Sequence, residues 1–205
     1  LPIFAKSEKG YNNLVKLSSK SFLETKENSI PTCSLNDLNE NSNDLIVLSG
    51  GIDSLFNNLV KKNKLKDLHT VASVLKNNFF DSFYLEIQRH NDLGEAQLEN
   101  IFLNLSYKES IPIIASQEVF YINKEMYEAH DALLCIGEKK YVDETNRKKY
   151  TDNHYIRSNE EIRKLYSDIP EALQNNYNFP YRFNFKINKS KPILPSIEIS
   201  NQRNE

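Results

Sequence analysis

The stretch LIVLSGGIDSLFNNLV, Leu45 to Val60, decides the fold class. Leu45 to Leu48 is a short continuous apolar run, Gly50 and Gly51 follow as a turn, and Leu55, Phe56, Leu59 and Val60 then recur at helical spacing. A strand without polar alternation is covered on both faces, which points to a sheet lying between helices. The joining loop, Ser49-Gly50-Gly51-Ile52-Asp53-Ser54, is also the first candidate site. Glycines let a backbone approach a phosphate closely, and a helix N-terminus favours an anion. The competing reading is a glycine-permitted turn in which Asp53 or Ser54 caps the helix.

Outward from this stretch the same unit repeats. Apolar runs rich in β-branched or aromatic residues also occupy Leu1 to Ala5, Phe83 to Ile87 and Ile111 to Ala115. Between them lie amphipathic patterns: Gly10 to Glu24 through Tyr11, Leu14, Val15, Leu17 and Phe22, then about Lys64 to Lys76 through Leu65, Leu68, Val71, Ala72 and Leu75. A further helix, marked by Ala96, Leu98, Ile101, Phe102 and Leu105, ends near Ser110 ahead of Pro112. This alternation predicts an α/β fold with parallel strands and helical crossovers, because parallel neighbours need a long return connection. Ligand sites in such sheets lie at the C-terminal ends of strands, here Ser49 to Ser54, Gln88-Arg89-His90 and Ser116 to Phe120.

From Lys124 the pattern predicts helices only. One runs through Met126, Ala129, Leu133, Leu134 and Ile136, a second spans Asn159 to Tyr166 after the capping-box sequence Ser158 to Glu161, and a third starts at Pro170. Pro192 and Pro195 mark an extended exit. The division is residues 1–123 for the strand-and-helix part, 124–190 for the helical part and 191–205 for a linker.

A chain of 205 residues buries one sizeable core and is short for two full domains. Its net charge of -2 provides no global basic field for nucleic acid or an anionic membrane, so any DNA contact is local. The run Lys61, Lys62, Lys64 and Lys66 reads as a solvated helix face. Cys33 and Cys135 make no disulfide framework and suit a reducing compartment. No apolar run approaches the roughly 18 residues of a membrane span, so a cytoplasmic location without membrane contact is expected. The strand-like start at Leu1 and the uncapped finish at Glu205 read as cuts from a longer polypeptide.

Several chemistries compete for these residues. SGGIDS resembles the signature of the N-type ATP pyrophosphatases, which would give Ser49, Gly50, Gly51, Asp53 and Ser54 to pyrophosphate and Mg²⁺. In that family, however, the loop usually follows the first strand, and here a strand and a helix precede it. His90, Glu86, Glu118, His130, Asp131 and Cys135 are metal-ligand types, yet no H-x-H, H-x-x-E or C-x-x-C spacing joins them. His130 and Asp131 fall in a helical pattern, where pairing is the common role; His69 lies on a lysine-rich helix; His154 packs beside Tyr155. Cys135, in ALLCIG, reads as a buried structural thiol. Ser49 lacks the G-x-S-x-G context of a nucleophile.

Taken together, six blocks in order carry a more specific likeness: AKSEKGYNNLVKLSSKSFLE (Ala5 to Glu24), LIVLSGG (Leu45 to Gly51), FYLEIQRH (Phe83 to His90), IPIIASQEVFYI (Ile111 to Ile122), MYEAHDALLCIGE (Met126 to Glu138) and DIPEALQNN (Asp168 to Asn176). Their order and spacing resemble the polymerase-and-histidinol-phosphatase (PHP) region of the C-family bacterial replicative polymerases, the DNA polymerase III alpha subunits. The resemblance implies part of an irregular PHP-type β/α barrel of about seven strands, followed by helices leading to a polymerase core. It implies DNA replication as the function of the whole protein, with Mg²⁺ in a polymerase palm beyond Glu205 and an H-x-H motif before Leu1. The implied partners are the other holoenzyme subunits, above all the 3'-5' proofreading exonuclease, with DNA reached through the rest of the chain.

In metal-binding members of that family the loop at Leu48 to Ile52 ends in a ligand cysteine, and this chain has Gly51 there. An Asp-x-His pair corresponds to Glu118 and Phe120. Glycine and phenylalanine offer no ligand atom, so the resemblance implies a degenerate, non-catalytic PHP region. No catalytic, cofactor-binding or metal residue is expected in this segment.

Overall fold

The structure is a computed structural model, described over residues 1–26, 29–188 and 192. Four strands form one sheet in the order β1 (Ile3–Ala5), β2 (Leu45–Leu48), β3 (Phe83–Ile87) and β4 (Ile113–Ala115). The connections carry α1 (Glu8–Glu24), α2 (Leu35–Glu40), α3 (Leu55–Lys61), α4 (Leu65–Phe79) and α5 (Glu95–Glu109). Beyond β4 come α6 (Tyr127–Glu138), α7 (Asn159–Leu165) and α8 (Pro170–Asn178), with a 3₁₀ turn at Phe179–Arg182. The expected extended exit falls mostly on residues outside those described.

β2, β3 and β4 are parallel, as alternation predicts, and every residue of the three strands is buried. One face packs on α3, α4 and α5: Phe56 sits at the centre, fully buried, stacked against Phe83 at 6.2 Å and edge-on to Phe102 at 5.6 Å between ring centroids. The other face holds Ile46, Leu48, Tyr84 and Ile114 beneath Phe179 and Phe183. The late helical segment thus covers the sheet. α8 also closes the β4 edge, where the Asn175 side-chain amide donates to the Ile113 carbonyl at 2.8 Å.

β1 corrects the all-parallel expectation. It pairs antiparallel with β2, Ile3 opposite Val47 and Ala5 opposite Leu45. The chain leaves β1 along α1 and returns through the following segment to the edge it left, so the Lys6 N–H meets the Asp44 carbonyl at 2.8 Å. An out-and-back excursion brings the next strand in antiparallel, whereas one crossover helix brings it in parallel. Ser7 caps α1, which starts at Glu8, two residues ahead of the expected Gly10. The expectation of helices alone after Lys124 also needs correction. Residues 139–158 contain no helix; they form a looped segment that pairs Tyr155 with Tyr121 in a parallel bridge.

Candidate functional site

The opening loop resolves as a capped turn. Ser54 is the N-cap of α3, accepting the Asn57 N–H at 3.2 Å, and the Asn57 side chain donates to the Ile52 carbonyl at 2.6 Å. Gly50 takes φ +79°, a left-handed conformation that suits glycine. Asp53 caps nothing; it lies exposed, 3.5 Å from the Lys148 ammonium. Of the loop hydroxyls that would hold a phosphate, Ser54 Oγ is thus turned to capping a helix of only seven residues, and buried Ser49 Oγ accepts the Glu86 N–H at 2.8 Å.

At Gly51 the structure supplies a reason for the missing side chain. A Cβ there would lie 1.8 Å from Oε1 of Gln88. Gln88 is itself tied down, its amide nitrogen donating to Glu86 at 3.2 Å and to Ser116 Oγ at 3.1 Å. Ser116 Oγ in turn donates to Glu86 Oε1 at 2.5 Å. A hydrogen-bonded side chain from β3's end therefore fills the space above residue 51.

Phe120 lies in an aromatic cluster. Its ring stacks on His130 at 5.1 Å and packs 4.4 Å from Tyr150 and 5.0 Å from His154. His154 is wholly buried and stacks on His90 at 4.2 Å with the planes 6° apart, so it does not simply pack beside Tyr155. The two imidazoles clamp the Glu118 peptide: its N–H donates to His90 Nε2 at 3.1 Å, and its carbonyl accepts from His154 Nδ1 at 2.9 Å. With Nε2 accepting, the His90 proton sits on Nδ1 and is donated to Glu95 Oε1 at 3.0 Å. His154 Nε2 faces Asp92 Oδ2 at 2.9 Å.

His90, Asp92 and His154 bring ligand-type atoms within 4.8 Å of one another, a grouping the sequence reading did not find. The H-x-D spacing of His90 and Asp92 was its only local signal; His154 lies 64 positions on. As arranged, the trio does not suit a metal. All four ring nitrogens are engaged, and stacked parallel rings aim their in-plane lone pairs side by side instead of at one point. Of the other ligand types, Asp131 forms a bidentate pair with Arg147 at 2.6 and 2.7 Å, Cys135 is buried in α6, and His69 is exposed. The Arg147 hydrogen bonds hold the Asp131 carboxyl below the usual carboxylate range.

Above these groups, at the C-terminal ends of β2, β3 and β4, opens a cleft of about 510 Å³. Asp53, Glu86 and Glu118 line it with Gln88, Gln117, residues 50–52, Ser54, Leu1 and Pro2, and among the described residues no lysine or arginine does. Glu86 and Glu118 thus share a cleft, Gly51 borders it, and Phe120 turns away into the aromatic cluster.

Comparison with known proteins gives one consistent picture. The PHP domain family matches residues 1–90. The DNA polymerase III subunit alpha of Caulobacter vibrioides (strain NA1000 / CB15N) is 36% identical over all 205 residues, which make up 18% of that protein. The subunit of the same name from Rickettsia prowazekii (strain Madrid E) is 36% identical over 95% of this chain and 16% of its own length. That from Borreliella burgdorferi (strain ATCC 35210 / DSM 4680 / CIP 102532 / B31) is 35% identical over 97% and 17%. The chain spans about a sixth of the length of these curated relatives. With a PHP match at its front and end-to-end similarity to one set of relatives, the chain belongs to the DNA polymerase III subunit alpha family and corresponds to its PHP region.

Proposed function

We propose that the whole protein carries out DNA-templated DNA synthesis in chromosome replication, and that this segment is a degenerate, non-catalytic PHP region supporting the polymerase core. The observation that carries the reading is similarity over the full 205 residues to proteins named DNA polymerase III subunit alpha. The polymerase chemistry, two-metal phosphoryl transfer with Mg²⁺, belongs to residues outside the segment. The site geometry supports a non-catalytic role. Gln88 takes the space beside Gly51, Phe120 is committed to aromatic packing, and the nearest histidine pair spends its nitrogens on the protein. Loading the full-length protein with Zn²⁺ or Mn²⁺ should leave no stoichiometric metal that depends on Glu118. Retained metal that is lost in Glu118→Ala overturns the reading.

The partner follows from the same family. The region docks the 3'-5' proofreading exonuclease alongside its supporting role, within a cytoplasmic holoenzyme. Among the described residues no helix is long and apolar enough to cross a membrane. Deleting residues 1–190 from the full-length protein should reduce exonuclease co-purification or lower the melting temperature of what remains; no change in either overturns the role. The ATP pyrophosphatase alternative is not favoured, because Ser54 caps its own helix, Ser49 is engaged by the Glu86 N–H, and three carboxylates line the cleft that ATP would enter.

A further inference from the structure

We propose that the outer face of α6 is the seat on which the polymerase core, the chain beyond Glu205, packs against this segment. It rests on the reading of the segment as a support of that core, and it names the surface involved. α6 carries the run Ala132-Leu133-Leu134-Cys135-Ile136. Successive residues of a helix are turned by about 100°, so five in a row go round the whole circumference and cannot all face one side. The side turned to this segment holds Asp131 and Cys135, the two buried residues of the helix, with Asp131 paired to Arg147 at 2.6 Å. The opposite side shows Met126, Ala129, Leu133 and Ile136, spaced three and four apart; Leu133 is 64% exposed and Ile136 75%. Polar inside and apolar outside reverses the usual order for a surface helix, and a helix that is apolar all round is ordinarily buried on every side. Among the described residues α6 is covered on one side only.

Exposed apolar residues continue at both ends of the helix, Ile122 before it and Tyr141 after it. With the stripe they expose on the order of 600 Å², the top of the range for a monomer's largest apolar patch and most of one partner's share of a standard interface. The length of the relatives points to the occupant. The matched part makes up 18% of one and 16% of another, so more than four fifths of such a chain lies outside it. Chain covalently joined to the segment meets the face at a far higher effective concentration than a separate protein does. Leu1 borders the cleft and an apolar groove beside α1, and no α6 residue lines either, so any chain before Leu1 meets the molecule away from α6. α6 instead follows β4, in the part of the chain that runs on toward Glu205. The exposed Glu125 and Glu128 lie beside the first turn of the stripe, so the matching surface is apolar with basic side chains at its edge.

Hydroxyl-radical footprinting of the purified full-length protein, read by peptide mass spectrometry, tests the face directly. Met126, the single methionine of the segment, and Leu133 should be oxidised at least tenfold more slowly than in the urea-unfolded protein, in a sample that sedimentation shows to be monomeric and that synthesises DNA. A photo-crosslinker placed by Leu133→p-benzoylphenylalanine should then join this position to residues beyond Glu205 of the same chain. Similar oxidation rates in the folded and unfolded protein overturn the proposal. So does protection that appears only on dimerisation or only when another holoenzyme subunit is added, and so does a cross-link that reaches no residue beyond Glu205. DNA synthesis by a protein whose α6 face is open leaves the reading of the whole protein standing and removes this proposal alone. A protected face in a protein that makes no DNA sinks the reading instead, and the identity of the occupant with it.

Discussion

At Gly51 a single position depends on a side chain 37 residues away. A methyl group added there meets Gln88 Oε1 at 1.8 Å and must push it off Glu86 and Ser116. Gly51→Ala should therefore destabilise the protein by about 1–2 kcal/mol, the cost of unmaking one or two hydrogen bonds to a buried carboxylate network. In the Gln88→Ala background the same change should cost much less, and a double-mutant cycle by urea denaturation measures the difference. Equal costs in both backgrounds would show that Gln88 is not what excludes a side chain. Asp131 allows a second test at this scale. Its carboxyl is held below the ordinary value of 3.8 by Arg147, so its folded form prefers to be ionised. The resulting stabilisation is fully present above that value and is lost as pH falls through the lower folded value. The stability gap between wild type and Asp131→Asn should thus be widest near neutral pH and close below about pH 4; a gap constant with pH would remove the pair as its source. Residue chemistry of this kind was only partly legible in sequence. The bareness of Gly51 and Phe120 could be read, but Gln88 as the filler and His154 as the partner of His90 could not, because contacts between distant positions leave no local pattern.

Elements were legible where one local rule governs them. β2, β3 and β4 read as strands because burial on both faces makes them continuously apolar, and α7 because Ser158 and Glu161 form the reciprocal cap their spacing announces. Ser158 Oγ accepts the Glu161 N–H at 3.2 Å while Glu161 Oε2 accepts the Ser158 N–H at 2.8 Å. Replacing Ser158 by Ala should cost about 1 kcal/mol and speed hydrogen exchange in the first turn of α7, with α8 unaffected; unchanged exchange there would mean the cap is redundant. α2 escaped notice because LNDLNE has six residues and one buried side chain, too few for a periodic signal. The direction of β1 was hidden for a different reason: strand polarity depends on where the chain returns, which no strand residue encodes. The 139–158 segment was missed because it is held by side chains reaching the ends of other elements. Thr151 Oγ1 and the Asn153 amide both donate to the His90 carbonyl, at 2.5 and 3.1 Å, and Arg157 donates to the Arg89 carbonyl at 3.0 Å.

For the whole molecule, a supporting role and a catalytic one predict different consequences when the core is loosened. Phe56 is fully buried beneath the sheet, against Phe83 and Phe102, and is remote from the Glu118 clamp in sequence and in the layer it occupies. Truncation to alanine removes a buried ring and leaves a cavity, at a cost of about 3–5 kcal/mol. For a unit of this size each kcal/mol lowers the melting temperature by about 2–4 °C, so Phe56→Ala should lower it by roughly 10 °C. If the segment supports the polymerase without taking part in its chemistry, the variant should synthesise DNA at the wild-type rate at low temperature. Its activity should then fail at the lowered melting temperature, along with exonuclease retention if that partner docks here. Thermal inactivation of DNA synthesis, followed beside initial rates at a permissive temperature, separates the cases. A rate depressed at low temperature in a fully folded variant would place this region in the catalytic cycle, and an unchanged inactivation temperature would show that the polymerase stands without it.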